Sequence, residues 1–476
     1  MTSSARPFAS DSPSAFPPGF LWGAATSAWQ IEGSPLADGA GPSIWHRFAH
    51  TPGRVVGGDT GDVACDHWRR WPEDVAWMKR MGLSAYRLSL AWSRILPAGT
   101  GTVNQAGLDG YSRLIDGLLA AGIAPMVTLY HWDLPAALDD RGGWLNRDIA
   151  SWFADYATVL FEALGDRVPL WATINEPWVI VDGGYLHGVL APGHRSAFEA
   201  PRAAHHVLLA HGAAVRAFRA SRAGGKIGIV VNLEPKDAAT DRPEDVTATA
   251  RADAQFNRHY LDALFLGRYP DELAEVYGAG WPAFDPADFA LIGEPTDFVG
   301  VNYYSRGLTV DAPEVWPTRA RTVRNPSAEY TDLDWEIYPA GLTRALTWVR
   351  DRYTQLPLYV TENGCALPEP AVLPPGMARL DDPRRVAYLR AHVAAVRDAI
   401  AAGVNVRGYF AWSLLDNLEW GYGFSKRFGV LHVDHATQVR TPKGSASFLR
   451  ALATTNGAAL DGAEPVAAEL PDLPEA

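Results

Sequence analysis

Cysteine is almost missing from this chain of 476 residues: only Cys65 and Cys365 occur. Two thiols so far apart exclude a disulfide framework and lack the short paired spacing of a zinc site, so both are expected to be buried and unpaired. A basic surplus is missing too. The formal net charge is −12, which argues against nucleic acid or an anionic membrane surface as partner, since both require clustered Lys and Arg. No apolar run reaches the length of a membrane span, and the first sixteen residues contain no apolar h-region, so a cytoplasmic protein without a secretory signal is expected. Gly23, in Trp22-Gly23-Ala24-Ala25, does not make a phosphate-binding loop, and no His-Glu-x-x-His occurs. Among the 13 histidines, His205, His206 and His211 do not present two imidazoles one turn apart. No cofactor and no metal is therefore expected.

What is abundant is aromatic. Phe, Trp and Tyr make up 11% of the chain, with 18 tryptophans; most belong in a core, but the surplus suits a sugar ligand, whose C–H faces pack well on indole. Hydrophobic residues are 47% and charged ones 20%, an ordinary globular balance. The acidity is uneven. Asp461, Glu464, Glu469, Asp472 and Glu475 lie beyond Asn456 with no basic residue among them, so 456–476 is expected to be an acidic disordered tail, and 1–15 a disordered Ser/Ala/Pro-rich one.

Between the tails, eight apolar runs have strand character: Phe20 to Thr26, Ala85 to Leu90, Ala124 to Tyr130, Val168 to Asn175, Lys226 to Leu233, Asp297 to Tyr303, Leu356 to Glu362 and Val406 to Trp412. Helical spacing fills the intervals at Trp68 to Met81, Tyr111 to Ala121, Ile149 to Leu164, Ala203 to Arg219, Ala248 to Leu266 and Arg384 to Ala402. Strand and helix alternating in this way, with no convincing linker, predict one α/β domain over 16–455, a (β/α)8 TIM barrel. Such a barrel needs only about 250 residues. The remainder is expected in long strand-to-helix segments around the site mouth: Trp178 to Ala223, Tyr304 to Gln355 and Asn363 to Pro383.

Two glutamates stand out against this frame. Glu176, in Thr173-Ile174-Asn175-Glu176-Pro177, and Glu362, in Thr361-Glu362-Asn363-Gly364, each fall where a buried strand should stop, 186 positions apart in the chain. The residue before proline is pushed out of helical geometry, so Glu176 is expected to end a strand rather than start a helix, and Asn363-Gly364 reads as a turn. Two carboxylates at the C-terminal ends of parallel barrel strands can divide the work of glycoside cleavage. Other polar and aromatic groups gather at predicted strand ends: Gln30 and Glu32, Arg87, His131-Trp132-Asp133, Asn302-Tyr303-Tyr304 and Trp412.

Six segments, in order, carry a resemblance: Phe20 through Gly33, His131 through Pro135, Thr173 through Pro177, Asn302 through Tyr304, Thr361 through Gly364, and Trp412 through Trp420. Over Phe16 to about Leu452 the chain resembles the family 1 glycoside hydrolases, the β-glucosidases. The resemblance implies a retaining enzyme that hydrolyses terminal non-reducing β-D-glucosyl residues, with β-galactosides and β-fucosides as secondary substrates and small β-glucosides and cello-oligosaccharides as its ligands. It implies Glu176 as general acid and base and Glu362 as nucleophile, about 5 to 5.5 Å apart. Arg87, Asn175, Asn302 and Tyr304 would support them. Gln30, His131, Trp132, Asn175, Tyr304, Glu419, Trp420 and Phe428 would bind the sugar, with Trp412 as a platform beneath its ring. Trp178, Tyr185, His187 and Trp335 resemble leaving-group contacts on the loops.

A carboxylate at Glu419 is expected to repel a phosphate, so unphosphorylated sugars should be preferred; Lys426 and Arg427, nearby in sequence, read as a surface pair. Three other readings compete. A sugar-binding pseudoenzyme would have lost one of the two glutamates, a thioglucoside-cleaving relative would carry glutamine in place of Glu176, and a barrel cellulase of another family would lack Gln30 and the Glu419-Trp420 pair.

Overall fold

A computed structural model describes residues 16–462 and 470. Eight parallel strands close into a barrel: β1 (Leu21–Ala25), β2 (Ala85–Ser89), β3 (Ala124–Tyr130), β4 (Leu170–Asn175), β5 (Lys226–Asn232), β6 (Phe298–Asn302), β7 (Leu358–Asn363) and β8 (Val406–Trp412). Each pairs with its neighbours in chain order, and β8 returns to β1 through Leu21↔Gly408 to Ala25↔Trp412. The strands read as unbroken apolar runs because both faces are buried, one against the barrel interior and one against the helices. Ala25, Ala85, Met126, Leu170, Phe298, Tyr359 and Phe410 belong to the interior cluster. Small residues make room for large ones there: a Cβ on Gly23 would fall 2.5 Å from the Phe410 ring.

The outer helices include His67–Arg80, Gln105–Ala120, Ile149–Leu164, Ala200–Ala220, Pro339–Arg352, Pro383–Ala401 and Gly444–Thr454. The structure departs from the sequence reading at three places. The helix expected from Tyr111 begins at Gln105, because Gly107 and Gly110, poor helix formers, are required for packing: a Cβ would lie 2.2 Å from the Arg94 carbonyl at Gly107 and 2.3 Å from the Trp68 ring at Gly110. The helix expected over 248–266 is two helices, Pro243–Asp253 and His259–Leu266, joined by a wide turn over Ala254–Arg258. Within the expected long segment 304–355 lies the helix Pro339–Arg352, whose Leu342, Ala345, Leu346 and Val349 are buried at three- and four-residue spacing. That segment also holds strands Gly307–Asp311 and Ala320–Thr322, which join Lys236–Ala238 in a small sheet.

The expected C-terminal tail begins too early. Asn456 accepts a hydrogen bond from Trp22 Nε1 at 3.1 Å and donates to the Phe16 carbonyl at 3.0 Å, while Asp461 pairs with Arg397 at 2.7 Å. These bonds tie 456–462 to the barrel's N-terminal strand and to Pro383–Ala401, so this stretch belongs to the fold. The remaining tail residues, 1–15, 463–469 and 471–476, lie outside the described residues. Among the described residues no helix is long and apolar enough to cross a membrane. Cys65 and Cys365 are both buried and unpaired.

Candidate active site

The C-terminal ends of the strands converge on a cavity of about 930 Å³. Glu176 follows the last residue of β4 and sits in the left-handed region (φ 49°, ψ 70°), at the N-cap of a short helix, Pro177–Val181. It was expected to end a strand rather than begin a helix, and it stands between the two. Pro177 bars helical geometry at the preceding residue but is pre-set for the first position of a helix itself. A non-glycine residue held there costs on the order of 1–3 kcal/mol. The Glu176 N–H is fixed by the Val230 carbonyl at 2.9 Å.

Glu362 lies inside β7, and Asn363 remains in the strand rather than turning. Asn363 donates to the Tyr303 carbonyl at 2.8 Å and accepts from Tyr409 Oη at 2.7 Å. Gly364 is required for approach, since a Cβ there would fall 1.8 Å from the Trp412 carbonyl oxygen.

A dense set of bonds joins the strand ends. The Arg87 guanidinium donates to a Glu362 carboxylate oxygen, to Asn175 Oδ1 at 2.7 Å, to Thr128 Oγ1 at 3.2 Å and to the Thr361 carbonyl at 3.3 Å. Tyr304 Oη donates to the other Glu362 oxygen at 2.5 Å. Asn302 Nδ2 donates to Glu176 Oε1 at 2.8 Å and to Asn175 Oδ1 at 3.0 Å, while its own oxygen accepts from Thr361 at 2.7 Å. Burial pushes both carboxyls above the usual range, but unequally. Glu176, facing the charge of Glu362, lies well above it; for Glu362 the Arg87 guanidinium and the Tyr304 hydroxyl offset much of the effect of burial. Of the two, Glu362 ionises first and Glu176 keeps a proton.

Around this pair is a polar and aromatic wall. Asn175 Nδ2 donates to His131 Nε2 at 3.1 Å, so the His131 proton is on Nδ1, which is buried and, among the described residues, has no protein partner. Burial and the Arg87 charge keep this imidazole neutral. Its ring stacks between Trp412 (5.8 Å, 17°) and Trp420 (5.9 Å, 17°). Trp132 packs on Trp420 at 4.4 Å and donates to the Asn175 carbonyl at 2.9 Å. Gln30 Nε2 donates to Asn417 Oδ1, to the Leu418 carbonyl and, at 3.4 Å, to Glu419 Oε2. Burial and the nearby Glu362 charge raise the Glu419 carboxyl to about 8, so at neutral pH it is largely protonated. The phosphate repulsion expected of an ionised Glu419 is therefore muted.

The two cations nearest Glu419 in sequence are engaged elsewhere. Lys426 pairs with Asp332 at 2.8 Å, and Arg427, read as a surface residue, is buried against Asp416 at 2.9 Å.

Of the residues expected at the leaving-group side, Trp178, His187 and Trp335 line the cavity. Trp178 is held by Gln255 at 3.0 Å and stacks on Phe256 at 4.0 Å, and Trp335 packs with Tyr304 and Phe428. Tyr185 does not reach it. The chain makes a wide turn over Asp182–Leu186 that turns this ring inward, where its hydroxyl accepts from the Trp144 N–H at 3.3 Å. Lining residues that the sequence did not signal are Phe48, Arg54, Val189, Arg195, Phe256 and Tyr422; they lie in loops or on a helix face, away from any strand end.

A parallel barrel with two proton-coupled carboxyls at its C-terminal mouth defines a class, the acetal-cleaving hydrolases that work with paired acids. The chain belongs to glycosyl hydrolase family 1, whose model matches residues 12–458. It is 49% identical to Beta-glucosidase A of Thermotoga maritima over 93% of this chain and 98% of that protein, and 48% identical to a 1,4-beta-D-glucan glucohydrolase of Thermotoga neapolitana over 93% and 99%. Among solved structures, the Thermotoga maritima β-glucosidase in complex with deoxynojirimycin superposes with a TM-score of 0.90 at 48% identity, covering 93% of this chain and 99% of that one.

Proposed function

We propose that this chain is a retaining β-glucosidase in which Glu362 attacks the anomeric carbon while Glu176 protonates the departing oxygen. The glycosyl–Glu362 ester that forms is then opened by water, with Glu176, now ionised, taking the water's proton. The observation that carries this reading is the asymmetry of the pair: Arg87 and Tyr304 bond to Glu362, and Glu176 is the harder of the two to ionise. Asn175, oriented by Arg87 and Asn302, is assigned to the sugar 2-hydroxyl, a bond that strengthens as the transition state develops. The unpartnered His131 N–H, Gln30, Trp132, Glu419 and Trp420 are assigned to the remaining hydroxyls, and Trp412 with Phe428 to the faces and edge of the ring.

The substrates proposed are terminal β-D-glucosyl residues on small aglycones and cello-oligosaccharides, with β-galactosides and β-fucosides turned over more slowly. The names of the relatives support glucose, and the engagement of Lys426 and Arg427 with carboxylates of their own supports unphosphorylated sugars. A cytoplasmic location is proposed from the two buried, unpaired thiols. Two experiments test the assignment. A slow 2-deoxy-2-fluoro-β-glucoside should leave its sugar on the peptide containing Glu362, and label on any other residue would overturn the nucleophile. A panel of nitrophenyl β-glucoside, β-galactoside, β-fucoside, cellobiose and 6-phospho-β-glucoside should rank the first highest and the phosphorylated compound lowest.

A further inference from the structure

Away from the catalytic carboxyls, three side chains at the foot of one cavity loop have the makings of a metal site. His46 and His50 stand four residues apart at the C-terminal end of the helix Ile44–Ala49, so their rings share a face, with centroids 4.5 Å apart. Asp62 reaches them from the far end of the loop that follows. One ligand atom from each of the three lies within 4.8 Å of the other two.

The orientation of His50 suits coordination. Its Nδ1 donates to the His46 carbonyl at 2.7 Å and its Nε2 faces Asp62 Oδ2 at 3.0 Å, where a metal ion would take the place of the proton that ring and carboxylate share. A backbone carbonyl on the second ring nitrogen is the usual partner of a metal-binding histidine, because it fixes the tautomer and the ring plane. Among the described residues, neither ring nitrogen of His46 has a protein hydrogen-bond partner.

We propose that His46, His50 and Asp62 bind a divalent late first-row transition ion, Zn²⁺ being the representative, with water completing the shell. Two imidazoles and one carboxylate match the donor preference of such ions and not of Mg²⁺ or Ca²⁺, which favour oxygen throughout. Bonds of about 2.0–2.2 Å require the three donors to draw together by roughly an ångström. The side chains of His50 and Asp62 are 42% and 46% exposed.

The position gives the ion a structural consequence. His50 and Asp62 bracket residues 51–61, of which Gly53, Arg54 and Val56 line the cavity. Asp59 in the same loop accepts from the Phe424 N–H at 2.8 Å, tying it to the segment that follows Glu419 and Trp420. An ion bound at the foot would clamp this loop on the outer side of the cavity.

The test uses the full, tag-free chain after chelator treatment. Calorimetric titration with Zn²⁺ should give one tight equivalent, and His50→Ala and Asp62→Asn should each weaken it by more than the roughly 10–100-fold that loss of an outer-shell partner alone costs. Zn²⁺ should also slow amide hydrogen exchange across 51–61 in the wild type and not in His50→Ala. Equal affinity and stoichiometry in wild type and both variants would overturn the site. Binding without slower exchange in 51–61 would overturn the clamp.

Discussion

The floor and the mouth of the cavity are built on different terms. On the floor, Arg87, Asn175, Asn302 and the two glutamates are buried and Tyr304 is partly buried; all stand on or just beyond barrel strands and are held by bonds that cross from strand to strand. At the mouth, Val56, Val189 and Tyr422 lie on loops and are about half exposed. The difference teaches where specificity can drift: a floor locked by shared hydrogen bonds fixes the reacting sugar, whereas a mouth of loosely held apolar side chains can change its leaving group without disturbing the chemistry.

The comparison can be broken most severely at the nucleophile. Glu362→Ala should abolish turnover of nitrophenyl β-glucoside, and retention of near wild-type rates would end the assignment. Next comes Glu176→Gln, expected to lower kcat/KM about a hundredfold or more on cellobiose and much less on substrates with good leaving groups. The pH profile should follow. In the wild type the acidic limb reports ionisation of Glu362 and the basic limb loss of the Glu176 proton, so the variant should keep the first and lose the second.

Four residues beyond β8, Asp416 accepts from Lys443 at 2.8 Å and Arg427 at 2.9 Å. Burial alone would raise its carboxyl, but these cations bring it down to about 2. Because the folded value lies below the unfolded one, the stabilisation is full above about pH 4 and is lost as pH falls through about 2. Asp416→Asn, which leaves Arg427 without a carboxylate partner and Lys443 with Glu369 alone, should cost about 3–5 kcal/mol in denaturant unfolding at neutral pH, and a cost under about 1 kcal/mol would contradict the ion network's role. The smallest effect belongs to the mouth. Tyr422→Ala should raise KM for aryl glucosides about fivefold or less and leave kcat unchanged; a fall in kcat would mean that the two regions are coupled.

Legibility in the sequence divides along the same line. All eight barrel strands fall within two residues of their expected ends, because a parallel strand buried on both faces is written as an apolar run between turn residues. The two glutamates, Asn302 and Trp412 were legible for the same reason, being attached to those runs. Helix starts were harder, since at Gly107 and Gly110 close packing overrides propensity. Phe48, Arg54 and Phe256 carry no local signal; they reach the cavity only through the folding of loops and helices whose paths depend on distant contacts. Tyr185 failed in the opposite sense, because nothing in its neighbours announces the wide turn that carries it inward.

The raised Glu419 carboxyl, at about 8, alters how the cavity keeps account of hydrogen ions. With Glu176 also reluctant to ionise, the empty pocket at neutral pH stores protons in preference to negative charge. A ligand bearing a cationic nitrogen favours the ionised forms and expels protons into the medium, so its heat of binding varies with the ionisation enthalpy of the buffer, whereas that of an uncharged sugar stays level.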